Sequence, residues 1–431
     1  MKNVLWATIS VGLFAFACAT EQDQQAVEPD GSTAFVGATL FDGTGADTID
    51  NAVIVVRAGR IESVGSADTV EIPVGAERID VSGKTIVPGL INTHGHVSAV
   101  RGLEGDHYTE DNLLRQLRLY ARYGVTAVNS LGGDGAEAVA LRDAEDTSLD
   151  RARITVAGAV VVGETVEEIQ ANVDANVALG VDFIKIRVDD NLGTGTKMTP
   201  ELYQAAIDRA HDNGMKLASH LFYLEDAKGL LEAGTDFVAH SVRDQAVDDE
   251  VIALMKEKNV CYCPTLTREV STFVYESIPD WFEDEFFLKD ADPGVLEQLK
   301  DAERMQGVQD SPAAKGYKKA LAIAMPNLKK VADGGATIAF GTDTGPAGRF
   351  QGYFEHMELE MMAEAGLSPE QILMSATGDA ASCLGFTEIG TLEPGKWADF
   401  VIVNENPLTD ISNMRSIDAV YISGNRVPDE T

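Results

Sequence analysis

Leu90-Ile91-Asn92-Thr93-His94-Gly95-His96 is a short apolar run that ends in two histidines separated by a single glycine. In an extended segment residues i and i+2 point the same way, so both imidazoles leave the strand end on one face. Neutral imidazole is a common ligand of zinc and similar divalent ions, and two on one rigid strand make half a site. Alone, a His-x-His pair is a weak signal. Its weight depends on what stands around it in the chain.

From about residue 85 short apolar strands alternate with amphipathic helices. Strand patterns fall at 90–94, 126–130, 154–158, 183–187, 217–220, 237–241, 260–266 and 338–343. Helical patterns lie between them at 110–123, 166–179, 200–213, 223–232, 248–258 and 318–333. Gly124, Gly180, Gly214 and Gly234 each follow a helical pattern and precede a strand, where glycine accepts the left-handed cap of an αβ turn. Eight such units over roughly 300 residues predict an α/β fold of the (β/α)8 TIM-barrel type.

Chemistry in such barrels gathers at the C-terminal ends of the strands. His220 closes the fifth strand pattern, His240 lies near the end of the sixth and Asp343 closes the eighth. Lys185 sits inside Phe183-Ile184-Lys185-Ile186, where an unpaired ammonium would be a costly buried charge. Each of these taken singly reads as an ordinary polar residue of a core. Together with His94 and His96 they converge on one end of one barrel, which points to a metal site.

The barrel is flanked by β structure. Alternating strands with Gly and Asp turns fall at 34–40, 52–58, 61–64 and 78–81, and strands return at 400–403 and 419–423. The economical expectation is a small discontinuous β-sandwich domain built from 33–86 and 386–431 around a barrel of 87–385. An acidic insertion at 267–315 breaks the rhythm and carries Phe273, Tyr275, Trp281, Phe282, Phe286 and Phe287. It reads equally as a lid over the site or as a helical elaboration on the outside.

The first residues stand apart from the fold. Lys2 and the apolar stretch 4–17, ending in Ala15-Phe16-Ala17-Cys18, read as a signal peptide or lipoprotein signal over 1–18. A polar tether follows at 19–32. The expectation is an exported bacterial protein, periplasmic or outer-membrane-anchored, with Cys18 as the candidate lipid anchor. The net charge of −35 argues against nucleic acid as a partner, because a polyanion would be repelled over most of the surface. Cys261 and Cys263 read as buried packing, with a disulfide from this pair to Cys383 as the alternative that an oxidising compartment opens.

Longer motifs carry a family likeness. At the front stand Ala38-Thr39-Leu40-Phe41-Asp42-Gly43 and Val87-Pro88-Gly89 running into the His-x-His strand. At the back stand Ser375-Ala376-Thr377, Gly390-Thr391-Leu392-Glu393-Pro394-Gly395-Lys396-Trp397-Ala398-Asp399 and Val420-Tyr421-Ile422-Ser423-Gly424. Over nearly the whole exported chain this resembles the amidohydrolase superfamily, in the imidazolonepropionase-like branch that includes metal-dependent dipeptidases. The resemblance implies that His94, His96 and Asp343 hold one divalent ion and that His220 and His240 hold another. Lys185, carboxylated by CO2, would bridge them. Zinc is the default metal, with manganese or iron as alternatives.

The activity so implied is hydrolysis of a C–N bond in an amide, cyclic amide or dipeptide-like small molecule by a metal-activated hydroxide, with Asp343 as general acid and base. In one-metal relatives His240 takes an oxyanion-stabilising role. The competing readings are an esterase, lactonase or organophosphate hydrolase using the same site, and a non-catalytic exported binding protein. The family also implies a homo-oligomer. Arg187, Arg243 and Tyr223 are the candidate substrate contacts, with Arg268 and Arg349 beside them. Two departures from the dipeptidase pattern stand out: Tyr223 lies three residues after His220 instead of two, and no histidine follows the third strand. His107 lies in the loop after the first strand, His211 on a helix, and His356 after the eighth strand.

Overall fold

The computed structural model describes Met1 and residues 30–144 and 149–429. The expected leader beyond Met1, Cys18 and the tether as far as residue 29 lie outside the described residues.

Strands from both ends of the chain meet in one eight-stranded sheet. The junction is Thr85–Pro88, which pairs in parallel with Ser32–Leu40 and antiparallel with Phe400–Val403, in the register Ile86↔Ile402 and Val87↔Val401. Ile49–Arg57 and Arg60–Ser66 form a hairpin closed by Ala58 and Gly59, with φ of 49° and 79°. Two positive φ values make the turn whose twist matches that of the flanking strands. Alternation then sorts the side chains: Ile54 and Val56 join Phe35, Phe400 and Tyr421 on one face, while Val53 and Val55 pack with Ala34 on the other.

The central region has a TIM-barrel-type α/β architecture. Leu90–Gly95, Val125–Ser130 and Arg153–Val156 run parallel, as do Phe183–Arg187, Lys216–His220, Phe237–Ala239 and Cys261–Cys263. Val161, paired in parallel with Ile186, connects the third strand region to the fourth. The segment 338–343 departs from the expected regular strand. It touches the seventh strand through an Ile338↔Tyr262 bridge. On its other side Thr93 N donates to Phe340 O at 2.9 Å and Thr342 N donates to His94 O at 3.1 Å. Pairing stops at Asp343, whose φ of 60° cannot continue an extended ladder.

Helix boundaries follow capping chemistry. Val166–Leu179 opens on a Thr165/Glu168 capping box and closes on left-handed Gly180. Pro312–Asp333 starts earlier than its apolar pattern suggests, because Ser311 caps Ala314 N and Pro312 is tolerated in the first turn. In the insertion, Trp281 packs edge-on against Phe287 at 4.7 Å and meets Tyr353 at 5.2 Å, while Phe286 meets Tyr123 at 5.0 Å. These rings seat the insertion on the helices Glu110–Arg122 and Tyr353–Glu364. Its first residues stay beside the barrel mouth, where Ser271 Oγ accepts from Arg349 Nε at 2.9 Å.

Of the central cysteine pair, Cys261 is joined to Cys383 in a disulfide, and Cys263 alone is a buried free thiol. Among the described residues no helix is long and apolar enough to cross a membrane.

Candidate metal centre

The first strand delivers its two histidines as alternation requires. His96 Nε2 stands 2.8 Å from Asp343 Oδ1, and His94 Nε2 stands 3.6 Å from the same oxygen. One donor atom from each of these three residues lies within 4.8 Å of the other two. Close approach of the strand ends depends on Gly345, at φ of 109°, where a Cβ would stand 2.1 Å from His96 O.

Hydrogen bonds orient the imidazoles. His96 Nδ1 pairs with Gly132 O at 2.9 Å, which turns Nε2 toward the Asp343 carboxylate. His240 Nδ1 pairs with Thr265 Oγ1 at 2.7 Å, leaving Nε2 for the centre. The His240 ring lies 4.7 Å from that of His94 and 4.2 Å from that of His220.

Lys185 completes the group. Its Nζ is buried and has no hydrogen-bond partner among the described residues. Burial holds its amine down to about 7. Burial likewise pushes His220 down to about 3, and it drives His94 and His240 well below the ordinary imidazole value. Neutral imidazoles are the ligating form. Asp343 goes the other way: burial acts to raise its carboxyl, but the Arg349 guanidinium and His96 outweigh it and keep the group well below its ordinary value. His240 and Asp343 both have left-handed backbones, with φ of 74° and 60°, a conformation that costs on the order of 1 kcal/mol and recurs at functional sites. The donor set therefore fits divalent metal.

The candidate substrate contacts are distributed unevenly. Arg243 is fully buried, donating from Nη1 to Leu221 O at 2.8 Å and Ser241 O at 2.7 Å, with Glu269 3.0 Å from Nε. Its Nη2 has no hydrogen-bond partner among the described residues. Arg187 is partly exposed and is held by Asp189 and Asn191. Tyr223 donates to Asp190 Oδ1 at 2.7 Å beneath the Lys197 ammonium. Arg349 grips Asp343 itself, and Arg268 lies 4.0 Å from the same carboxylate while stacking on Tyr317. Of the remaining histidines, His211 pairs with Asp236 on the outer surface, His107 lies exposed 3.9 Å from Glu104, and His356 is buried against Tyr123 O.

Two acidic residues escaped the sequence reading. Glu355 accepts from Asn92, Thr342 and Thr344 directly behind the ligand-bearing loops. Asp189 meets His220 at 3.0 Å. Continuing the alternation Lys185, Arg187, Asp189 beyond the strand would have placed Asp189 on the inner face. A cavity of 630 Å³ lined by Arg153, Ile154, Phe386 and Trp397 lies at the other end of the third strand, away from these donors.

Comparison with known proteins agrees with this geometry. The amidohydrolase family model matches residues 85–427. Among curated relatives, imidazolonepropionase of Streptomyces avermitilis is 24% identical over 83% of this chain and 81% of its own length. A 5-methylthioadenosine/S-adenosylhomocysteine deaminase of Symbiobacterium thermophilum is 26% identical over 85% and 84%. Among solved structures, a Bifidobacterium longum protein assigned as a candidate prolidase is similar at a TM-score of 0.73, with 27% identity, 93% of this chain and 95% of that one covered.

Proposed function

The chain belongs to the amidohydrolase family and is a metal-dependent hydrolase of carbon–nitrogen bonds, and from that premise we propose a finer reading of its activity. It is an exported enzyme that hydrolyses an amide, cyclic amide or dipeptide-like small molecule on a closed (β/α)8 barrel. His94, His96 and Asp343 hold one divalent ion, His220 and His240 hold a second, and a carboxylated Lys185 joins them. Zinc is the default occupant, with manganese or iron as alternatives.

The observation that carries this reading is Lys185: a buried amine with no hydrogen-bond partner among the described residues, in a ring of three buried histidines and Asp343. An ammonium is out of place beside metal ligands. A neutral amine that adds CO2 forms an N–C bond, releases a proton and becomes the anion that such a centre needs.

Bound metal supplies Lewis acidity, lowering the pKa of water and polarising the substrate carbonyl. The protein's own groups do the rest. Asp343 takes a proton from the attacking water and passes it to the leaving nitrogen, while Arg349 holds its Oδ2. Arg243 is the candidate clamp for a substrate carboxylate, with Arg187 and Tyr223 near the rim. Export is supported by the leader-like residues 1–18 and by the Cys261–Cys383 disulfide, which persists in oxidising compartments. Anchoring at Cys18 and homo-oligomerisation belong to the same proposal.

The test is metal content per chain with CO2 supplied throughout expression, followed by a panel of N-acyl amino acids, dipeptides and cyclic amides. Two equivalents and turnover of a panel member are expected. One equivalent would recast His240 as an oxyanion-stabilising residue, and turnover confined to esters or lactones would overturn the C–N specificity.

A further inference from the structure

Thr265, just after the seventh strand, has φ of 47°, a left-handed backbone that a β-branched residue rarely takes. Its Oγ1 is the atom paired with His240 Nδ1 at 2.7 Å. Such a conformation persists only where the surroundings fix it. The fixing group is Glu358, on the helix Tyr353–Glu364. Its Oε1 accepts from Leu266 N at 2.7 Å, and its Oε2 accepts from Thr267 N at 2.7 Å. Thr267 Oγ1 stands 2.7 Å from the same Oε2 and 3.1 Å from Thr342 O, the carbonyl next to Asp343.

Glu358, Thr265, Leu266 and Thr267 are all fully buried. A buried carboxylate is costly unless donors meet it, and here both oxygens are committed to one turn. Because they hold two consecutive amides, they fix the direction of the turn as well as its position. Glu355, one helical turn earlier, holds the loops of the first and eighth strands in the same manner. Glu355 thus supports the side of His94, His96 and Asp343, and Glu358 supports the side of His240.

We propose that Glu358 is a positioning residue for His240, acting through the Thr265–Thr267 turn and setting the aim of that imidazole relative to Asp343. Among the described residues its hydrogen bonds reach this turn and no candidate ligand. The inference rests on the reading above only in that His240 belongs to the centre, and it holds for either metal count.

The experiment is NMR of the ring nitrogens in the full chain, labelled with 15N-histidine and loaded with Zn(II). Wild type, Glu358→Gln, Thr265→Val and the double variant are compared, with His240 assigned by the loss of its signals in His240→Gln. His211, on the outer surface, is the internal control. Glu358→Gln and Thr265→Val should each move the His240 Nδ1 signal and leave His211 in place. The double variant should move it no further than Thr265→Val alone, because the two residues lie on one path. In Glu358→Gln, kcat on a panel substrate should fall about 10- to 100-fold with KM within about twofold. An unmoved His240 signal in Glu358→Gln, or shifts that add in the double variant, would overturn the proposal. Absence of turnover in the wild type, with the His240 shifts as expected, would sink the proposed activity while supporting the positioning role. Should Glu358→Gln fail to fold, Glu358→Asp, whose carboxylate is one methylene short of the turn, takes its place with the same two outcomes.

Discussion

Asn92, two residues before the first histidine of the His-x-His pair, donates from Nδ2 to Oε1 of Glu355 at 2.7 Å, although 263 residues separate them. The same oxygen accepts from Thr342 Oγ1 at 2.7 Å and Thr344 Oγ1 at 2.6 Å, the residues flanking Asp343. One buried carboxylate therefore ties together the two loops that carry His94, His96 and Asp343. Glu355→Gln puts an amide where acceptors are needed and is expected to cost about 1–3 kcal/mol of stability. Metal affinity should fall roughly 10- to 100-fold. Chemical denaturation and competition with a chelator check both, and wild-type affinity in the variant would show that the loops hold their shape without it.

Arg349 bonds Asp343 through both its carboxylate and, at 3.1 Å, its backbone oxygen. Burial alone would raise the Asp343 carboxyl, and Arg349 leads the forces that lower it. Removing the guanidinium in Arg349→Met should therefore raise that pKa. The acidic limb of the kcat/KM profile should move to higher pH, and kcat should drop by up to roughly 100-fold. A profile that keeps its acidic limb in place would remove Arg349 from this role.

His356 is buried, with Nε2 donating to Tyr123 O at 2.8 Å and Nδ1 without a partner among the described residues. Burial pushes it down to about 3, against roughly 6.5 in an unfolded chain. Below about pH 6.5 the unfolded chain binds a proton that the folded one refuses, so stability is full above that pH. It is lost progressively as pH falls toward 3, by on the order of a few kcal/mol. His356→Gln, which keeps a donor for Tyr123 O, should flatten the acid limb. Equal slopes for variant and wild type in denaturant titrations between about pH 7 and pH 4 would refute this.

Cys261 on the seventh strand is bonded to Cys383, 122 residues away, on the helix Gly378–Leu384. That helix packs against the first barrel strand. Closing so long a loop removes unfolded-state entropy worth about 4–5 kcal/mol in the chain-entropy model. Cys383→Ser, or reduction of the wild type, should lower the Tm by several degrees. Identical melting with and without reductant would show that packing alone holds the helix.

Much of the centre is legible in the chain itself. Period-2 alternation places His94 and His96 on one face, and strand patterns set Lys185, His220, His240 and Asp343 at or near strand ends, because both signals are written in near neighbours. The β strands at the two chain ends likewise announce themselves by pattern, and with no other sheet to complete they pair through Thr85–Pro88. The boundary of the helix beginning at Pro312 and the break at 338–343 are less readable, because capping and a left-handed residue act against the apolar pattern.

Local sequence alone sets which face each candidate ligand takes and which strand carries it. Folding in three dimensions was needed to select which cysteine of the pair bonds Cys383 and which acid stands behind the loops. It also buries Arg243 against backbone carbonyls and brings Asp189 to His220. The difference is one of range. Alternation and helical period are set by the geometry of adjacent peptides, whereas these partners are brought together by strand pairing and packing across 22 to 263 residues.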